Sequence, residues 1–196
     1  TQPFAGCRDP NAFQIPSSVT HIGDEAFKDC NKLLEFTGID FVPDIGQRFF
    51  AGCSSLQNVT IPSSEKVIRE QAFYRCRELQ SIHIPDSVIH IGPGAFEGCQ
   101  SLKSIAIPDS VEGVGAYAFF GCSALENIQL PDSIKRIDTA AFCRCSSLQN
   151  IQIPESLKSI AQSAFCMCSS LKSVHLPNTI TEIKDEAFKD CLSLQE

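Results

Sequence analysis

Residues 84–110 read IPDSVIHIGPGAFEGCQSLKSIAIPDS, so the tetrad Ile84-Pro85-Asp86-Ser87 returns after 23 residues as Ile107-Pro108-Asp109-Ser110. It returns again as Leu130-Pro131-Asp132-Ser133. Followed outward from this stretch, the same period runs through the whole chain of 196 residues. Cys7, Cys30, Cys53, Cys76, Cys99, Cys122, Cys145, Cys168 and Cys191 stand 23 residues apart without exception. Three residues before each stands Phe4, Phe27, Phe50, Phe73, Phe96, Phe119, Phe142, Phe165 or Phe188. Three residues after each comes a leucine, from Leu33 to Leu194, with Pro10 as the one departure.

Each column carries a local meaning. Pairs such as Val59/Ile61, Ile82/Ile84, Ile105/Ile107 and Ile151/Ile153 alternate with polar residues, which marks a short strand buried on one face. Pro16, Pro62, Pro85, Pro108, Pro131, Pro154 and Pro177 close that strand, and Ile39 stands in the proline's place between Pro16 and Pro62. A second, weaker strand follows, with Val88/Ile91, Val111/Val114, Ile134/Ile137 and Ile180/Ile183 inward. Gly23, Gly46, Gly92 and Gly115 then offer backbone freedom for a turn into a short helical segment. Ala26, Ala72, Ala95, Ala118, Ala141, Ala164 and Ala187 let that segment approach closely, and the neighbouring phenylalanines fill the interior.

A fixed period between 20 and 29 residues with an L-x-x-I-x-I strand is the signature of a leucine-rich-repeat solenoid. The expected fold is an α/β repeat solenoid: a right-handed coil of 23-residue units. A parallel β-sheet should line the concave face, with short helical or 3-10 turns opposite. Equivalent residues on successive coils then stack roughly 4.8 Å apart. Residues 1–196 form one solenoid of about eight to nine such units. No polar capping unit stands at either end, so the chain is expected to be a segment of a longer array, open to end-to-end contact with further repeats.

The spacing of Pro, Gly, Ala-Phe, Cys and Leu resembles the BspA-like, or Treponema pallidum-type, leucine-rich-repeat family, whose pattern "IPDSV..IG..AF.GC.SLKSI" is matched almost letter for letter by Ile84 to Ile105. The resemblance implies a non-enzymatic recognition module, often at the cell surface or secreted and sometimes tied to adhesion. It carries over no catalytic residues. Free buried thiols, by contrast, would suit a reducing compartment. Departures fall at residues 38–44 and 63–70, where Glu65 takes an inward position.

The charge balance of 16 basic and 23 acidic residues, with no basic run longer than a pair, argues against a nucleic-acid or anionic-membrane surface. No 18-residue apolar stretch exists to insert into a membrane, and the opening TQPFAGCRDP has neither the basic start nor the apolar core of a signal peptide. No nucleophile elbow, phosphate loop, zincin motif or calcium loop occurs, and the four histidines do not cluster. The chain therefore reads as no enzyme, with no cofactor.

The nine column cysteines read as buried thiols acting as small hydrophobes. Cys143 and Cys166 lie off that column, at a position held elsewhere by Lys28, Tyr74, Glu97 and Lys189 and expected near the surface. There they are weak candidates for a metal site or an exposed disulfide. Asp86, Asp109, Asp132 and Glu155 form a column of acids after the prolines. That column is open to calcium binding, but reads first as carboxylates capping their own turns.

What remains for function is the outward face of the first strand. Glu35, Asn58, Ser81, Ser104, Asn127, Asn150 and Ser173 make one row, and Thr37, Thr60, His83, Ala106, Gln129, Gln152 and His175 the next. Amides donate and accept together, so this uncharged sheet suits recognition of another protein. The competing reading is a structural subunit docked into a larger assembly through its ends or the irregular coils 38–70. Asn58-Val59-Thr60 also matches a glycosylation sequon.

Overall fold

The computed structural model describes residues 15, 18–37 and 45–195. Phe4, Cys7, Pro10, Pro16 and the irregular segment 38–44, with Ile39 and Phe41, lie outside the described residues.

Two short strands recur in each turn of the chain. Those that leave the leucine column are β1 (Glu35–Phe36), β2 (Asn58–Val59), β5 (Ser104–Ala106), β7 (Asn127–Gln129), β9 (Asn150–Gln152) and β11 (Ser173–His175). Those that follow the proline corner are β3 (Val67–Ile68), β4 (His90–Ile91), β6 (Gly113–Val114), β8 (Arg136–Ile137), β10 (Ser159–Ile160) and β12 (Glu182–Ile183). Every pairing is parallel, and each residue meets its equivalent one repeat on, as in Ile105↔Ile128 and Ile91↔Val114. The result is a parallel β-solenoid with two four-stranded sheets, ordered β11-β9-β7-β5 and β3-β4-β6-β8. β1 pairs with β2, and β10 with β12.

Alternation dictates which side chains enter. In β5, β7 and β9 only the central isoleucine is buried, and its neighbours face solvent. Behind it the phenylalanines stand in file, ring over ring: 5.3 Å from Phe73 to Phe96, 5.3 Å from Phe96 to Phe119 and 5.2 Å from Phe119 to Phe142. The planes in this run lie within 9° of parallel. One core continues from Ile22 to Ala187. The file is disturbed once, near its beginning. Phe49 takes the alanine position and Phe36 a strand position, so the Phe27 and Phe50 rings are tilted and 6.0 Å apart.

No helix is present among the described residues, and the expected helical or 3-10 turns opposite the sheet are not supported. The hydrogen bonding gives the reason. Between Gln71 and Cys76 the amides alternate: Ala72, Tyr74 and Cys76 bond three residues back, whereas Gln71, Phe73 and Arg75 donate to Pro93, Ala95 and Glu97 of the next coil. A 3-10 helix needs consecutive local bonds, and every second N–H here is turned along the solenoid axis. Two residues per coil in the left-handed region do the turning, for example Gln71 at φ 53° with Arg75 at φ 57°, and Gly94 with Gly98 in the next coil.

The glycines that precede this segment also act differently from expectation. None of Gly23, Gly46, Gly92 and Gly115 has a positive φ. What they supply is the missing Cβ: at Gly46, Gly92 and Gly115 it would stand 2.7 Å from backbone atoms of the preceding coil.

Candidate functional site

Because strands β5, β7, β9 and β11 pair in register, their outward residues form straight rows. Ser104, Asn127, Asn150 and Ser173 make one. Ala106, Gln129, Gln152 and His175 make the other, and His83 joins through its bridge to Ala106. Ser81, His83, Ser104, Asn127, Gln129, Asn150, Gln152, Ser173 and His175 are all exposed. Asn58 is exposed in β2, and Thr60, half-buried, follows it. The structure thus brings the candidate rows onto one face.

Within the rows some polar groups already satisfy each other. Asn58 Nδ2 donates to Glu35 Oε1 at 3.1 Å, and Ser173 Oγ donates to Asn150 Oδ1 at 3.0 Å. The side chains of Asn127, Gln129 and Gln152 have no hydrogen-bond partner among the described residues, so their amides face outward unengaged. At the edge of the same face, Ile107, Asp109, Ile128, Gln129, Leu130, Pro131, Asp132 and Gln152 line a shallow groove of about 370 Å³. Pairing between β7 and β9 is registered only at Asn127↔Asn150, which leaves the Gln129 end of the ladder open beside that groove.

The acids of the proline corner do not cap it. Asp86, Asp109, Asp132 and Glu155 are exposed, and the serines beside them carry the bonding. Ser87 Oγ donates to the Glu65 carbonyl at 2.6 Å, Ser110 Oγ to Val88 O at 2.6 Å and Ser133 Oγ to Val111 O at 2.7 Å. Ser156 repeats the contact with Ile134 O. A hydroxyl one residue further along has the reach to the previous coil, so the carboxylates are left in solvent. Among the described residues, no group of three or more His, Cys, Asp or Glu side chains is placed to hold a metal.

The column cysteines do more than fill space. Each thiol points at the phenylalanine carbonyl of the coil before: Cys76 Sγ to Phe50 O, Cys99 Sγ to Phe73 O, Cys122 Sγ to Phe96 O and Cys145 Sγ to Phe119 O, each at 3.2 Å. Sequence reading missed this donor role, because a buried thiol and a small apolar group leave the same trace in a sequence. Burial pushes the thiols of Cys76, Cys99, Cys122 and Cys145 well above the ordinary range, so they stay protonated and able to donate.

Cys143 and Cys166, expected near the surface, are 6% and 7% exposed. They pack with Ala140 in a small cluster of their own, against which the Phe120 ring packs, and this packing takes them out of solvent.

The family model of the BspA type leucine rich repeat region matches residues 1–112 and 66–195, in six copies. The chain belongs to the BspA-type leucine-rich-repeat family. Solved structures agree. The Treponema pallidum leucine rich repeat protein is 28% identical over 79% of this chain and 72% of its own, with a TM-score of 0.70. A leucine rich cell surface protein from Faecalibacterium prausnitzii is 32% identical over 90% of this chain and 56% of its own, with a TM-score of 0.60. A leucine-rich repeat protein from Bacteroides ovatus is 27% identical over 90% of this chain, with a TM-score of 0.53. The chain spans 58% of the length of that Bacteroides protein. No curated protein sequence matches. Membership of this repeat family is consistent with a protein-interaction scaffold.

Proposed function

We propose that this BspA-type solenoid is a non-enzymatic scaffold that binds another protein through its first sheet, at a cell surface. One observation carries the reading: Asn127, Gln129 and Gln152 present amides with no internal partner on the exposed face of one parallel sheet. A partner strand or loop laid across the rows would meet a donor and an acceptor at each step, and the main chain of a protein offers both in return. The likeness to a leucine rich cell surface protein supports the placement at the surface.

The decisive experiment replaces Asn127, Gln129, Asn150 and Gln152 together with alanine and repeats an affinity capture from native extract. Loss of the captured protein with the fold intact is the expected result. If the quadruple variant captures its partner undiminished, while Lys66→Ala with Glu70→Ala releases it, the chain is instead a docked subunit held through its irregular coils.

A further inference from the structure

The interior column and the Cys143–Cys166 pair differ in a way the repeat does not require. At the pair's position other coils carry Lys28, Ala51, Tyr74, Glu97, Phe120 and Lys189, so two thiols on consecutive coils are a local departure. The column thiols of Cys122, Cys145 and Cys168 are 0% exposed, and each is held by a phenylalanine carbonyl. Cys143 and Cys166 have no such carbonyl, retain a sliver of exposure, and pack against each other.

Their backbones are locked in place. Arg144 N donates to Cys166 O at 2.8 Å, and the adjoining Phe142 and Phe165 rings stack at 5.5 Å, 2° from parallel. Coils held at this pitch bring equivalent Cα atoms to roughly 5 Å, inside the window of 4.4–6.8 Å that a disulfide spans. The residues sit in a turn rather than a pleated strand, with left-handed Ala140 and Arg144 on either side of Cys143 and left-handed Ser163 and Met167 flanking Cys166. On this shared turn the two side chains meet, packed with Ala140 in one buried cluster.

We propose that Cys143 and Cys166 form an inter-coil disulfide by exchange with a low-molecular-weight disulfide, stapling two neighbouring coils through their turn segments. One protein thiolate attacks the small disulfide and releases one small thiol. The second protein thiolate then attacks the mixed disulfide and releases the other. Two protein thiols lose two protons and two electrons, one protein S–S bond forms, and the small disulfide is reduced to two thiols. Burial and the neighbouring Cys166 sulfur push the Cys143 thiol up to about 12, so the step in which Cys143 attacks is slow at neutral pH, limits the exchange and accelerates about tenfold per pH unit.

The test incubates the full chain with oxidised glutathione at pH 8 and at pH 9, alkylates remaining thiols after unfolding, and maps tryptic peptides without reduction. A link between the peptides 137–144 and 159–172, formed about tenfold faster at pH 9, is the expected product. It should survive Cys168→Ser, vanish in Cys166→Ser, and raise the thermal midpoint by about 5–10 °C. Should a substituted chain fail to fold, fragmentation of the linked wild-type peptide makes the same assignment between Cys166 and Cys168. Glutathione adducts without a protein cross-link, cross-links confined to the interior column, or full alkylation of both thiols would each overturn the proposal.

Discussion

Twelve residues other than glycine hold a left-handed backbone among the described residues, always at the same two places in the coil, five and one before the column cysteine. This conformation disfavours an L-residue by roughly 1–2 kcal/mol, and the inter-coil hydrogen bonds that begin there offset it. The Ser163 side chain, at φ 53°, makes only a 3.5 Å contact with Glu186, and glycine keeps the backbone bonds, so Ser163→Gly is expected to raise stability by about 0.5 kcal/mol in urea titration. Gly121, at φ 71°, would place a Cβ in open space, so Gly121→Ala should lower stability by about 1 kcal/mol through backbone strain alone. Glu65 poses a sharper case. It is 4% exposed at a position where other coils carry Val88 or Val111, and its carboxylate accepts the Ile45 N–H at 3.0 Å. Restoring valine therefore orphans a buried amide, and Glu65→Val is expected to lose about 1–3 kcal/mol despite matching the repeat.

At the scale of the coil, the thiol and the ring act as a pair, each cysteine bonding the carbonyl of a phenylalanine one coil back. If donation matters, Cys122→Ser should be at least as stable as Cys122→Ala, since the hydroxyl still reaches toward Phe96 O; a thiol acting only as a small hydrophobe would give the opposite order. Much of the coil was legible in the sequence. The alternation of Ile105 and Ile107 announced the strand, the Phe73-to-Phe119 column the interior, and the period the parallel register. The turn segment was not legible. Its left-handed sites hold Arg48, Tyr117, Ala140 and Met167 as well as glycines, so composition gives no warning that the backbone there bonds across coils rather than along a helix. The Asp/Ser corner misled for a related reason: either side chain can cap a turn, and only the distance to the neighbouring coil decides between them. The rows of the sheet face could be written down in advance from the strand period. That Asn150 is engaged by Ser173 while Gln129 stays open depends on rotamers that no period encodes.

For the whole molecule, the interior packing and the proposed recognition face are separated in space: one ring per coil binds the turns together, and the amides of the sheet stand outside that packing. Nearest-neighbour interfaces dominate such a solenoid, so damage at one ring should spread to the two coils that touch it. Phe119, 0% exposed between Phe96 and Phe142, is the natural place to interrupt the file. The most direct measurement compares urea unfolding of Phe119→Ala with that of the chain carrying alanine at Asn127, Gln129, Asn150 and Gln152. We expect the single interior truncation to lose about 3–5 kcal/mol, and the four exposed substitutions together less than about 2 kcal/mol. A quadruple variant that unfolds as readily as Phe119→Ala would contradict this, because the sheet amides would then be holding the coils together rather than waiting for a partner.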